Sequence, residues 1–335
     1  MKTYRARSIL MTAISASVLL VGQLGGAAFA AAAKTSSPAT GNPNGLKLSP
    51  LRSDITVNKG STGSVKVVVT NVTKMTVTLK SVENDFVAGD EKGTPAIILD
   101  ENSYAPSHSL KRFMVPAPSV TLAPGQSQEV NVVVRVPATA QAGGYFGALR
   151  FAPAGLSGGA VNIGASVASL ILLTVPGPAV EQMLLTNFDV QQNGGTSTNF
   201  RTPDSLSLFL RFQNKGNLQE APFGQVYVLK GKKTVYSSNF NQEDPRNEIL
   251  PDSARQWQLP LKNLGKFGKY TVAGTFGYGA KGQTINIQKT VWIVPTTYIF
   301  GVIGGVLLLI LVIGGSYLFL RNYKRKILQS SRRRY

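Results

Sequence analysis

With one histidine and no cysteine among 335 residues, the chain's means for chemistry lie almost wholly in 16 acidic side chains and in its aromatic rings. A Ser-His-Asp triad or a histidine-rich metal site would have to use His108, which stands between Pro106 and Leu110 in loop-like sequence. The lack of cysteine excludes thiolate metal sites, cysteine nucleophiles and thioester links. No G-x-S-x-G, H-E-x-x-H or phosphate-cradling glycine motif occurs. Gly143-Gly144 and Gly158-Gly159 suit turns and close backbone packing instead. Carboxylates can act in pairs, as in glycoside hydrolysis, or supply oxygens to calcium. The candidates are Glu83, Asp85, Asp90, Glu91, Asp100 and Glu101, and their polar surroundings read as solvated loops. This inventory assigns no catalytic residue, no metal site and no cofactor, and the chain is expected to be a non-enzyme.

The aromatics are the better functional lead. Tyr145 and Phe146 are adjacent in an expected strand, so one of them should face outward. Tyr227 and Trp257, with Tyr236, Tyr270 and Tyr278, belong to the second half of the ectodomain. Tyrosine and tryptophan stack on sugar rings and anchor protein interfaces. Tyr145, Phe146, Tyr227 and Trp257 are therefore the candidate binding residues, with core packing as the competing use of each ring.

The elements that must position these rings read as strands. In Glu129–Pro137, Val130, Val132, Val134 and Val136 share one face, with Glu129, Asn131 and Arg135 on the other. Ser64–Asn71 repeats the pattern with Val65, Val67 and Val69, and Ser205–Asn214 with Leu206, Leu208, Leu210 and Phe212. Further strands are expected at 77–82, 96–99, 145–151, 167–175, 225–229, 255–259, 270–276 and 284–294. Turn sequences such as Pro124-Gly125 and Lys230-Gly231-Lys232 separate them. Short strands with this punctuation predict an all-β chain of two immunoglobulin-like sandwiches in tandem, at 45–176 and 179–295, divided at Val175-Pro176-Gly177-Pro178. Without disulfides, each must rest on its hydrophobic core, which suits domains of this size.

The two ends carry the topology. Residues 1–30 read as a secretory signal peptide: a basic start, an apolar stretch from Ile9 to Val21, and Ala28-Phe29-Ala30 as an A-x-A cleavage site. Residues 31–44 have linker composition. Tyr298–Leu320 is apolar, uncharged and long enough to cross a bilayer as a transmembrane helix. Arg321, Lys324, Arg325 and Lys326 follow at once, which places the tail 321–335 in the cytoplasm and the N-terminus outside, in a single-pass cell-membrane protein. That tail reads as too short to fold. Gly301 and Gly305 form a GxxxG that would permit self-association within the membrane.

The formal charge is +19, but Lys2, Arg5, Arg7 and seven tail residues account for more than half of it. The part between them holds 25 basic against 16 acidic residues, a balance that suits an anionic surface or partner rather than a nucleic-acid footprint.

Leu122–Phe151, LAPGQSQEVNVVVRVPATAQAGGYFGALRF, resembles a pattern of bacterial surface modules, and SLKRFMVPAPSVTL upstream fits the same module. NKGNLQEAPFGQVYVLKGKKTVYSS, ILPDSARQW and GKYTVAGTFGYG resemble its partner module. The whole layout is similar to that of the WxL-interacting cell-surface proteins of Gram-positive bacteria. The resemblance implies immunoglobulin-like domains that bind a WxL partner and a peptidoglycan or host ligand; it matches no individual contact residue. The function expected is a non-enzymatic, membrane-anchored binding or scaffold protein engaging a cell-wall polymer or an exported surface protein. The alternatives are a tethered assembly chaperone that accepts client strands at an open sheet edge, and a wall-modifying enzyme.

Overall fold

The computed structural model describes residues 45–154 and 166–331. The expected signal peptide, the linker, Gly158-Gly159 and the extreme C-terminus lie outside the described residues. The chain is all-β, with two immunoglobulin-like sandwiches followed by one apolar helix.

The first sandwich comprises β1 (Leu46–Ser49), β2 (Arg52–Thr56), β3 (Thr62–Asn71), β4 (Val77–Ala88), β5 (Pro95–Ile97), β6 (Val120–Leu122), β7 (Ser127–Arg135), β8 (Gly143–Pro153) and β9 (Val167–Val175). One sheet runs β1-β3-β7; the other runs β2-β9-β8-β4-β5, with β6 also on β4. The two valine-alternating segments are neighbours, Val65 opposite Val132 and Val67 opposite Val130. Their valines are buried with Leu79, Leu149, Phe151, Ile171 and Leu173 of the facing sheet. Each such side chain contributes about 1.5–3 kcal/mol on burial, which is what a core without disulfides must supply.

The second sandwich comprises β10 (Met183–Gln192), β11 (Gly195–Thr196), β12 (Asn199–Phe200), β13 (Leu206–Asn214), β14 (Phe223–Lys230), β15 (Lys233–Phe240), β16 (Ala254–Pro260), β17 (Gly268–Tyr278) and β18 (Gln283–Ile293). Its sheets run β11-β10-β13-β16 and β12-β18-β17-β14-β15. Leu206, Leu208, Leu210 and Phe212 point inward together and meet Val226, Val228, Val272 and Phe276. Phe212, Phe240 and Phe276 pack ring to ring at 5.2–5.5 Å.

Two sequence expectations are corrected. Glu83 and Asp85 are not loop residues; both lie in β4. Asp85 is fully buried and accepts the amides of Ala105 (2.9 Å) and Lys111 (2.8 Å), while Glu83 accepts that of Ala117 (2.7 Å). These carboxylates pin the long 98–119 excursion across the sheet. The tail also does not stop being helical at Leu320: α1 runs Thr296–Ser331. Among the described residues, α1 is the one helix long and apolar enough to cross a membrane, and no other element covers its apolar window.

Several strands escaped the pattern. In β10 a bulge between Leu185 and Asn187 breaks the period of two. β15 is an edge strand with a mostly solvated side-chain row, so it lacks alternation.

Candidate functional site

A cleft of about 250 Å³ opens between the sandwiches. Phe86 of β4 and Leu170 and Leu172 of β9 form its wall on the first sandwich. These belong to a small apolar cluster on the outer face of the sheet, with Phe146, Ile97 and Leu250. The opposite wall is the 245–255 segment of the second sandwich.

Three guanidinium groups line the cleft. Arg52 of β2 is held by Asp54 (2.7 Å) and Glu248 (2.6 Å). Burial tends to discharge Arg52, but its carboxylate partners outweigh that and hold it charged. Burial pushes Glu248 above the usual carboxylate range, with Arg52 opposing. Arg255 donates to the Glu248 carbonyl (3.1 Å) and to Asn247 Oδ1 (2.8 Å), and lies over the Trp257 ring. Burial makes its charged form less favourable, with Asp90 and Glu243 opposing at longer range. Arg246 is exposed and sits 3.8 Å above the Phe223 ring. Among the described residues, neither Arg246 nor Arg255 has a carboxylate within salt-bridge distance. A partly desolvated guanidinium without a counter-ion, beside an apolar wall, is a receptor for an acidic group attached to an apolar body.

The cleft is held by contacts around its rim. Glu91, at the tip of the β4–β5 hairpin, takes a two-pronged bond from Arg211 of β13 (2.5 and 2.9 Å). The Glu91 carbonyl accepts the Gln256 amide of β16 at 2.7 Å. On the other side, Gly143-Gly144 at the start of β8 receives the 217–219 turn. The Gly144 amide donates to the Asn217 carbonyl, and a Cβ at Gly143 would stand 2.5 Å from that same oxygen. Gly143 also has φ +139°, so both conformation and contact require glycine there.

Beside this junction lies an unusual pair. Glu220 is 5% exposed, and among the described residues neither carboxylate oxygen is in a well-formed hydrogen bond. Glu181 offers it a like charge, and Glu181 Oε2 is also buried and unpartnered. Burial, with the charge of Glu181 added, raises Glu220 to about 7, with the Gly279 amide opposing.

The aromatic candidates are not brought together. Tyr145 packs on Phe113 (4.8 Å) and the first core, and its hydroxyl donates to the Gln141 carbonyl. Phe146, on the opposite face of β8, is buried in the cluster behind the cleft wall. Trp257 packs on Phe240 (5.1 Å) and the second core. Tyr227 is half-buried on β14, between the buried Val226 and Val228, so it lies on the outer face of its sheet. His108 donates from Nδ1 to the Gly144 carbonyl (2.7 Å), supporting the β8 start. The remaining acidic candidates are dispersed: Asp90 and Asp100 close their own turns, and Glu101 pairs with Lys80. Among the described residues, no three acidic or histidine side chains stand close enough to share a metal ion. Gly301 and Gly305 lie on α1 with open space beside them. Arg321, Lys324 and Arg325 extend the same helix beyond its apolar part, as does the backbone of Lys326.

Comparison with known proteins returns remote structural likenesses only. No family model matches the chain, and no curated protein matches it. Solved structures with a remote likeness include a chain from a chaperone–tip adhesin complex of CFA/I fimbriae biogenesis (13% identity, 73% of this chain and 98% of that one, TM-score 0.38). A class 5 fimbrial chaperone, CfaA, matches at 13% identity over 73% and 98% of the two chains, TM-score 0.36. The Escherichia coli chaperone DraB matches at 19% identity over 74% and 96%, TM-score 0.30.

The cleft arginines had no signal in the sequence. Arg52, Arg246 and Arg255 stand in ordinary polar segments, and their meeting depends on how the two sandwiches dock. The one available signal was the Gly143-Gly144 pair, which marks where the docking occurs.

Proposed function

We propose that this chain is a non-enzymatic, membrane-anchored binding protein, exposed outside the cell, whose partner is an exported or surface protein. An extended segment of that partner lies in the cleft, with apolar side chains against Phe86, Leu170 and Leu172 and an acidic group on Arg246 and Arg255. The observation that carries this reading is the pair of cleft guanidiniums, beside an apolar wall, that have no carboxylate within salt-bridge distance among the described residues. Scaffold and WxL-interacting roles are forms of the same activity, differing in which partner is held.

A chaperone role, in which a client strand joins an open edge, is favoured by β18. Among the described residues it ends its sheet with only the two-residue β12 beside it, at Trp292 and Ile293. From Gln283 to Gln288 that edge carries no charge, so nothing there repels an added strand.

The test is photo-crosslinking from the full chain in cells, with a crosslinking residue at Leu250 in the cleft, at Asn286 on β18, or at Thr186 as a control. An exported protein captured at Leu250 and lost in Arg246→Glu/Arg255→Glu supports the cleft reading. Capture at Asn286 alone moves the function to the open edge. Capture at neither, with release of soluble fragments from isolated wall, overturns both.

A further inference from the structure

The positive charge of the second sandwich is concentrated at one end. Strand register defines that end: Gly268 of β17 faces Ile293 of β18, Lys230 of β14 faces Lys233 of β15, and Ser207 of β13 faces Pro260 of β16. The connections at 201–205, 231–232 and 261–267 therefore lie at the end from which α1 departs. Lys230, Lys232 and Lys233 are exposed there, and Lys262 and Lys266 add two more from the 261–267 connection. With Arg201 and Lys269, the end holds seven exposed basic residues against the single acidic Asp204. Among the described residues, none of the seven is in a salt bridge.

The same end exposes aromatics beside these cations. Phe267 is 47% exposed and stacks on Tyr298 of α1 at 4.9 Å. Trp292 is 43% exposed, with the Lys269 ammonium 5.9 Å from its ring centre. Lys230 donates to the Phe267 carbonyl. Basic and aromatic side chains side by side, next to an apolar helix, have the composition of a bilayer interface.

We propose that this end of the second sandwich is a lipid-headgroup dock, which seats it on the anionic surface of the bilayer that α1 enters. The proposal rests on the membrane-anchored reading, and α1 supplies the reason to choose lipid: it begins at Thr296, directly after β18 ends at Ile293, and so keeps the basic end beside that surface. Every lysine there within a Debye length of anionic headgroups adds to the attraction, and salt weakens it. The dock also restricts the ectodomain, so the cleft is carried on a seated module rather than a tethered one. Most of the basic excess between the chain's ends is thereby assigned to lipid, not to the cleft's partner.

The experiment uses the full chain in nanodiscs of neutral phosphatidylcholine, or of phosphatidylcholine with phosphatidylglycerol. Trp257→Phe leaves Trp292 as the reporter, read by acrylamide quenching; amide exchange at 262–269 in the unaltered chain is the parallel reading. The expected result is quenching about twofold lower in the anionic discs, reversed by high salt and by Lys232→Glu/Lys233→Glu/Lys266→Glu. Equal quenching and exchange in both discs overturns the dock while the anchor stands. Failure of the chain to co-elute with either disc overturns the anchor and the dock together. Protection by soluble polyphosphate, without any response to lipid charge, overturns the lipid assignment in favour of an anionic polymer.

Discussion

The two sandwiches solve one problem in the same way and a second in opposite ways. Each buries an asparagine at the end of an interior strand of one sheet: Asn71 on β3 and Asn214 on β13, both fully buried. Asn71 Nδ2 donates to the carbonyls of Met75 and Leu122, and Asn214 Nδ2 to those of Leu218 and Ile249. Each Oδ1 accepts the amide two residues on, from Thr73 or from Gly216. One side chain thus closes a turn and ties it to a segment that crosses later. Each sandwich also buries a carboxylate, and here they differ. Each oxygen of Asp85 accepts an amide, whereas among the described residues neither oxygen of Glu220 is in a well-formed hydrogen bond. A buried charge with donors fixes a loop; one without them makes the fold sensitive to pH.

The largest test concerns the cores. Val132→Asp and Leu208→Asp should each cost several kcal/mol and unfold one sandwich, because a lone charge on a dry sheet face has no partner. Denaturant unfolding of the solubilised chain should show two separable transitions, one lost in each variant. Loss of both from either substitution would mean that the sandwiches unfold as one unit and that no boundary lies near 176–179.

Next come the asparagines. Asn71→Ala and Asn214→Ala each strand one buried carbonyl, one part-buried carbonyl and one amide, with an expected cost of about 2–3 kcal/mol apiece. The comparison breaks if one variant melts like the unaltered chain while the other is strongly destabilised.

Glu220 sharpens the contrast. The unfolded chain releases its proton near the ordinary value of 4.5, while the folded chain keeps it to about 7. The folded state binds more protons between those values, so stability falls as pH rises from about 4.5 to about 7. The loss should be on the order of 2–3 kcal/mol. Glu220→Gln should remove this slope and raise the second transition at pH 8, leaving the first unchanged. A slope that persists in the variant would assign it to another group.

The smallest effect is at the clasp. Glu91→Ala should lower stability by about 1 kcal/mol or less, because its pair with Arg211 is partly exposed. It should, however, speed amide exchange at Gln256, whose partner is the Glu91 carbonyl. Unchanged exchange there would mean that the hairpin does not hold the cleft.

The sequence by itself determined the inward faces of β3, β7 and β13 and the apolar span of α1. Periodicity of two, and sustained apolarity, are local properties that a reader of the chain can count. It also showed that little catalytic equipment is present. Only the tertiary structure decided that Glu83 and Asp85 are pins within a strand, and that Phe146 faces a second cluster rather than solvent. The cleft likewise depends on pairs such as Arg52 with Glu248, 196 residues apart, and Arg211 with Glu91, 120 apart. The gathering of seven basic residues at one end depends on strand register and on where α1 leaves the sandwich. Charged side chains carry no local sign of which distant segment they will meet; that follows from how cores and turns set the sandwiches against each other.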